Sequence, residues 1–135
     1  MNLPPPTRQL ANCIWLPRIM AKARALSRGE LESDYAARFC HPGGIDGQFL
    51  AFFRLTREEI IQASRGSDDE VIAWFRLLEA ATDQRIAEWN RIALNLGRPG
   101  FPMADRMEPA LATTYKHLSH RKFETVFEVL EADES

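Results

Sequence analysis

Apolar residues recur along the chain in short stripes at helical spacing, separated by brief polar or glycine-bearing breaks. Leu16, Ile19, Met20, Ala23 and Leu26 lie three or four residues apart, the spacing of one helix face. Arg18, Lys22 and Ala25 fall on the opposite side, so this helix is predicted to present its charges to solvent. Pro17 is tolerated in a first turn, and Gly29 suits the end. Glu30 to Phe39 is less regular; Ser33 or Asp34 can cap a short helix carrying Tyr35 and Phe39 inward.

A stiff loop, Cys40-His41-Pro42-Gly43-Gly44, then breaks into an apolar segment with Phe49, Leu50, Phe52 and Phe53. Asp46 is the predicted N-cap of that helix. Thr56-Arg57-Glu58-Glu59 and Ser67-Asp68-Asp69-Glu70 both carry the capping-box pattern, with Gly66 between them. They predict consecutive helices over Thr56–Arg65 and Ser67–Ala81. The second is apolar nearly all round (Val71, Ile72, Trp74, Phe75, Leu77, Leu78), which predicts a central, buried helix. Thr82 or Asp83 starts the next, with Ile86, Trp89, Ala93 and Leu96 on one face and Gly97 at its close. Ala104 to Leu118 reads as a helix that starts late or kinks at Pro109. Phe123, Val126, Phe127 and Leu130 form a last amphipathic helix ending in an acidic tail.

Pro4-Pro5-Pro6 favours an extended polyproline conformation. Residues 1–12 are therefore read as an N-terminal arm on the surface of one domain, 13–135; a docking motif for a proline-binding partner is the alternative. The predicted fold class is all-α: a single compact orthogonal helical domain of about six or seven short helices. Its core is expected around Trp74, Phe75, Leu78, Phe49, Phe52, Phe53, Ile60 and Trp89.

Composition narrows the function classes. The 135 residues suit one domain with a real core. A formal net charge of −2 argues against a general nucleic-acid binder, which would carry a basic excess. No apolar run is long enough to cross a bilayer, and no signal-peptide pattern opens the chain. Cys13 and Cys40 make no disulfide framework, so reduced thiols and a cytoplasmic location are expected.

Candidate chemistry is sparse. Arg18, Lys22 and Arg24 can together hold a carboxylate or phosphate, or else form a solvated face. Asp46 can act as a base with His41 or Arg18 as partner, although capping alone accounts for it. Cys40 beside His41 suggests a thiol–imidazole pair, but adjacent residues in an extended segment point apart. His117 and His120, with Glu124 a turn beyond, fall short of a zinc set. Asn90 shares an apolar face with Ile86, Trp89 and Ala93, and needs polar partners, either a loop backbone or a polar pocket beside Trp89. The helix from Ser67 is too apolar and too acidic at its start for a DNA-reading helix. Phosphate-loop and dinucleotide motifs are absent. No metal and no cofactor is expected.

Leu16-Pro17-Arg18 followed by Lys22-Ala23-Arg24-Ala25 resembles the opening signature of the bacterial domain of unknown function 5069. Ile45-Asp46 with Phe49-Leu50 and Phe52 resembles its central motif. Ser67-Asp68-Asp69-Glu70-Val71 with Ala73-Trp74, then Trp89-Asn90, follow in the same order, and Phe123 to Ser135 resembles its closing segment. His41-Pro42-Gly43-Gly44 does not match that pattern residue by residue. The resemblance implies a small, soluble, helical bacterial protein, with no established activity and no catalytic residues to carry over. The expected function is a non-enzymatic binding domain for an anionic small molecule or a partner protein, with Arg18, Lys22, Arg24, His41, Asp46 and Asn90 as candidate ligand-binding residues. The alternatives are an enzyme using His41 or Asp46 with Arg18, and self-association through the last helix, as monomer or homodimer.

Overall fold

A computed structural model describes residues 2–135, which are mostly helical. A short hairpin, β1 (Gln9–Leu10) and β2 (Cys13–Ile14), leads into α1 (Leu16–Ser27), α2 (Ser33–Arg38), α3 (Ile45–Phe53) and α4 (Arg57–Ala63). Then come α5 (Asp68–Arg76), α6 (Asp83–Leu94), α7 (Met107–Ala112) and α8 (Val126–Glu134), with single 3₁₀ turns at Ala104–Arg106 and Lys116–Leu118. Eight α-helices among the described residues exceed the six or seven expected, because the irregular stretch after Gly29 does form α2, anchored by buried Phe39. The chain gathers into two compact units, one running to Trp89 and one from Asn90 to Ser135.

In the first unit the arm is shorter than expected. Pairing begins at Gln9, opposite Ile14, and turns through Ala11 and Asn12 at φ of 52° and 62°. Positive φ at both turn positions is what a two-residue hairpin of the right twist demands. Cys13, Ile14 and Trp15 are all buried, so the hairpin has an apolar face that holds it down. Helix α1 ends as Gly29 predicts: Gly29 has φ +70°, its N–H donates to Leu26 O (3.0 Å), and Glu30 N–H donates to Ala25 O (2.8 Å). These are the paired bonds of a Schellman cap.

Both capping boxes form. Thr56 Oγ1 accepts from Glu59 N (3.2 Å) and Glu59 Oε1 accepts from Thr56 N (3.1 Å). Ser67 and Glu70 do the same at 3.2 and 3.0 Å. The core of this unit centres on Phe49, whose ring lies 5.0 Å from Phe53, 5.4 Å from Trp89 and 6.3 Å from Phe75. Trp89 Nε1 donates to Ile14 O (2.8 Å), which satisfies the one polar atom of that buried ring.

Helix α5 departs most from expectation. It stops at Arg76 instead of Ala81 and buries only Val71 and Phe75. Ile72, Trp74 and Leu78 are half-buried, and Leu77 is 86% exposed. Nothing in Leu77–Ala81 breaks a helix by propensity. The competing interactions are tertiary: Ala80 and Ala81 are buried, and Arg85 ties Ala80 O (2.8 Å) to Phe52 O at the end of α3.

In the second unit, residues 104–118 do not form one helix. Pro109 sits in the first turn of α7, where its missing N–H costs nothing, so the helix starts late and ends at Ala112. Gly97 closes the turn after α6 at φ +96°, and its N–H donates to Pro102 O (2.9 Å). Thr125 caps α8, accepting from Glu128 N (3.2 Å). Among the described residues, no helix is long and apolar enough to cross a membrane.

Gly97→Ala tests this corner. A Cβ there would lie 2.9 Å from Met107 Sδ, in a backbone region that side chains avoid. The expected cost is about 1–3 kcal/mol, read as a lowered urea midpoint with unchanged slope.

Candidate functional site

Asp46 was expected to cap α3, but it lies one residue inside the helix, and Gly44 holds the cap position without a side-chain bond. Its side chain turns inward and is 2% exposed. Oδ1 accepts from Trp15 Nε1 (2.8 Å) and Lys22 Nζ (2.8 Å). Oδ2 accepts from the same Lys22 Nζ (2.8 Å) and from the backbone N–H of Cys40 (2.9 Å). The carboxylate therefore ties the start of α1, 24 to 31 residues away, to the glycine loop and to α3.

Each donor is placed by a local feature. Pro17 fixes the start of α1, which leaves Trp15 at the cap in a left-handed conformation with φ 79°. Lys22 sits on the face of α1 predicted to be solvated, yet Arg18 and Lys22 are only 2% and 4% exposed. That expectation fails because other chain segments cover this face. Arg18 Nη1 donates to Pro4 O (3.1 Å) in the arm, and its guanidinium lies 5.3 Å from the Trp15 ring centre and 5.9 Å from that of Tyr35. Lys22 Nζ stands 5.1 Å from the same Trp15 centre, so an electron-rich ring faces two cations.

The Cys40 N–H is aimed by the glycine loop. Cys40 has φ 56°. At Gly47 a Cβ would lie 2.4 Å from His41 O and 2.6 Å from Pro42 Cα, so only glycine lets the loop fold back onto the first turn of α3. His41 itself is exposed. Its Nδ1 accepts from Gly43 N (2.9 Å), and its carbonyl accepts from Gly44 N (3.0 Å). The imidazole thus braces the loop through its Nδ1.

Burial pushes the Lys22 ammonium below its ordinary range, while Asp46 pulls it back up and Arg18 adds to the depression. Burial pushes the Cys40 thiol up to about 12, with Asp46 adding to the rise, and burial alone raises Cys13 further. Neither thiol is activated as a nucleophile must be.

Arg24 serves a different corner. Its Nε donates to Ser64 O (3.0 Å), Nη2 to Gly66 O (3.1 Å), and Nη1 to Asp68 Oδ1 (3.0 Å). It clamps the end of α4 to the start of α5. Asn90 is half-buried on α6, in the second unit. The structure thus brings Arg18, Lys22 and Asp46 together, sets His41 in the adjoining loop, and places Arg24 elsewhere. Trp15 and the Cys40 N–H went unread in the sequence, and Tyr35 was read only as inward-facing; the Trp-Leu-Pro start of α1 and the glycine at position 47 were the available signals. His117 Nε2 pairs with Asp133 Oδ1 (2.8 Å), and no group of three metal-ligating side chains occurs among the described residues.

Open grooves occur among the described residues of the first unit. One, about 700 Å³, runs along α4 and α5 between Glu58, Glu59, Gln62, Arg65, Glu70 and Trp74. Another, about 550 Å³, lies beside α1 between Arg24, Arg28, Glu30, Glu32 and the arm, where Arg28 Nε already pairs with Glu30 (2.8 Å).

The model of the family described as "Domain of unknown function (DUF5069)" matches residues 3–135. No curated protein and no solved structure matches the chain.

Two outcomes test the cluster. Asp46→Ala should cost about 3–5 kcal/mol of stability, as removing one member of a buried ion pair does. Lys22→Met should cost less, because Trp15 and Cys40 still hydrogen-bond the carboxylate; urea melts of both variants give the comparison. Thiol labelling gives the second. With Cys40 raised from an ordinary 9.0 to about 12, its thiolate fraction at pH 8 falls on the order of a thousandfold. Native protein should therefore react with iodoacetamide far more slowly than protein in urea. By the same shift, unfolded Cys40 ionises above pH 9.0 while the native thiol keeps its proton. Its contribution to stability is complete below that pH and is lost as pH climbs toward the folded value.

Proposed function

Since the chain belongs to the DUF5069 family, whose description names no activity, we propose from its own residues that it is a non-enzymatic binding domain for a partner protein. Its working surface is the α4–α5 face around Trp74. One observation carries this reading: the charges that looked like a site are spent internally, while Trp74 is left half-exposed in an open groove. Of the tryptophans, Trp15 and Trp89 are buried and hydrogen-bonded. A partly exposed tryptophan with a polar surround is the composition of a protein-binding hot spot.

The competing readings draw less support. An anionic ligand at Lys22 would have to displace a buried carboxylate from four hydrogen bonds. An enzyme using Asp46 and His41 would need them to share a proton path, whereas His41 is exposed and its Nδ1 is taken by Gly43. The apolar residues Phe127, Val129 and Leu130 of α8 are buried within the chain, which leaves that helix little with which to self-associate. The free thiols Cys13 and Cys40 suit a reducing compartment such as the cytoplasm.

Site-specific photo-cross-linking in the producing cell tests the surface. A cross-linker at exposed Gln62 or Leu77 should give discrete adducts that vanish with Trp74→Ala. The same group at exposed Ala37 on α2 should give none. Equal labelling at all three positions, or no adduct at Gln62 and Leu77, sinks the reading.

A further inference from the structure

We propose that the partner on this face is a second copy of the chain, packed with its α5 antiparallel to the first across a two-fold axis. The inference rests on the reading of the α4–α5 face as the working surface, and names its occupant. Asp69, Ala73 and Arg76 are all exposed, and at spacings of four and seven residues they share one side of α5; exposed Leu77 follows at its C-cap. Val71 and Phe75 lie on the opposite, buried side. Glu70 and Trp74, at the groove, flank the stripe next to Leu77.

The stripe is complementary to its own reverse. Asp69 and Arg76 are separated by about 10 Å of helix rise, with small Ala73 near the midpoint. Antiparallel apposition about that midpoint sets Asp69 of one copy against Arg76 of the other, twice, and lets the backbones approach at Ala73. An isologous contact requires this self-complementarity. The helix dipole alone favours an acid at the start of α5 and a base at its end. It gives no reason for Leu77, a large apolar side chain 86% exposed beside the stripe, where a partner would cover it. One nine-residue helix falls short of the roughly 1,200 Å² of a stable interface. The dimer is therefore weak and concentration-dependent.

Sedimentation equilibrium of the purified chain, up to about 0.5 mM, should show monomer–dimer exchange with a dissociation constant in roughly the micromolar to hundred-micromolar range. Asp69→Arg alone, Arg76→Asp alone, and Leu77→Glu should each weaken it at least about tenfold, a like-charge or buried-charge penalty. Mixing the two single charge variants should restore a heterodimer, because each then offers the opposite sign at both contacts. That rescue requires both variants to be folded, which circular dichroism checks independently. A wild-type chain that stays monomeric at the highest concentration overturns the inference, as does a dimer indifferent to the charge swaps. A monomeric purified chain with adducts to a different protein at Gln62 and Leu77 defeats the self-pairing while sparing the proposed function; absence of both defeats the two together.

Discussion

The carboxylate of Asp46 is the constraint on which the first unit depends. Removing an aspartate and a lysine from water costs several kcal/mol for each ion, and a lone ion pair in the interior does not reliably offset it. Here the carboxylate also receives Trp15 Nε1 and the Cys40 N–H, so both oxygens are doubly hydrogen-bonded. The same contacts hold two backbone conformations that a non-glycine residue avoids, at Trp15 and Cys40. Each costs about 1–3 kcal/mol when isolated. They persist because relaxing either would withdraw a donor from a buried charge.

That arrangement shapes what the molecule can do. Buried titratable groups often mark catalytic centres, but structural ion-pair networks perturb them equally, and access decides between the two. Arg18, Lys22 and Asp46 have almost no exposed surface. The neighbouring histidine is engaged in its own loop, and the neighbouring thiol is raised out of reach of ionisation. On the proposed function, recognition of a partner therefore falls to an open surface elsewhere in the first unit. The α4–α5 groove lined by Glu58, Gln62 and Trp74 is open, while the basic residues at the end of α1 are tied to Asp68, Glu30 and backbone carbonyls.

How much of this was legible in the sequence depends on the range of the interaction. The capping boxes at Thr56 and Ser67 and the end of α1 at Gly29 were readable because each closes within a few residues. The end of α5 was not, since the Arg85 bond to Ala80 O leaves no trace in local propensity. Asp46 was misread for a related reason. An aspartate at a glycine-to-apolar boundary is correctly a cap candidate, and only the three-dimensional approach of Trp15 and Lys22 recruits it away. Periodicity failed at Arg18 and Lys22, because a helix face opposite an apolar stripe is solvated only if nothing else in the chain covers it.

What covers it explains a feature that first looked incidental. The arm lies over a buried guanidinium, and Pro4 O accepts from Arg18. A segment laid across a closed face must satisfy its own backbone polar groups as well as those beneath it. Prolines have no N–H to satisfy, so Pro4, Pro5 and Pro6 offer carbonyls without bringing orphan donors. Pro6 can then be fully buried without the ladder of partners that another sequence would need. The polyproline run thus supplies the kind of strand that can seal a cationic helix face. Its acceptor at Pro4 and the internal anion at Asp46 leave Arg18 and Lys22 both buried and both bonded.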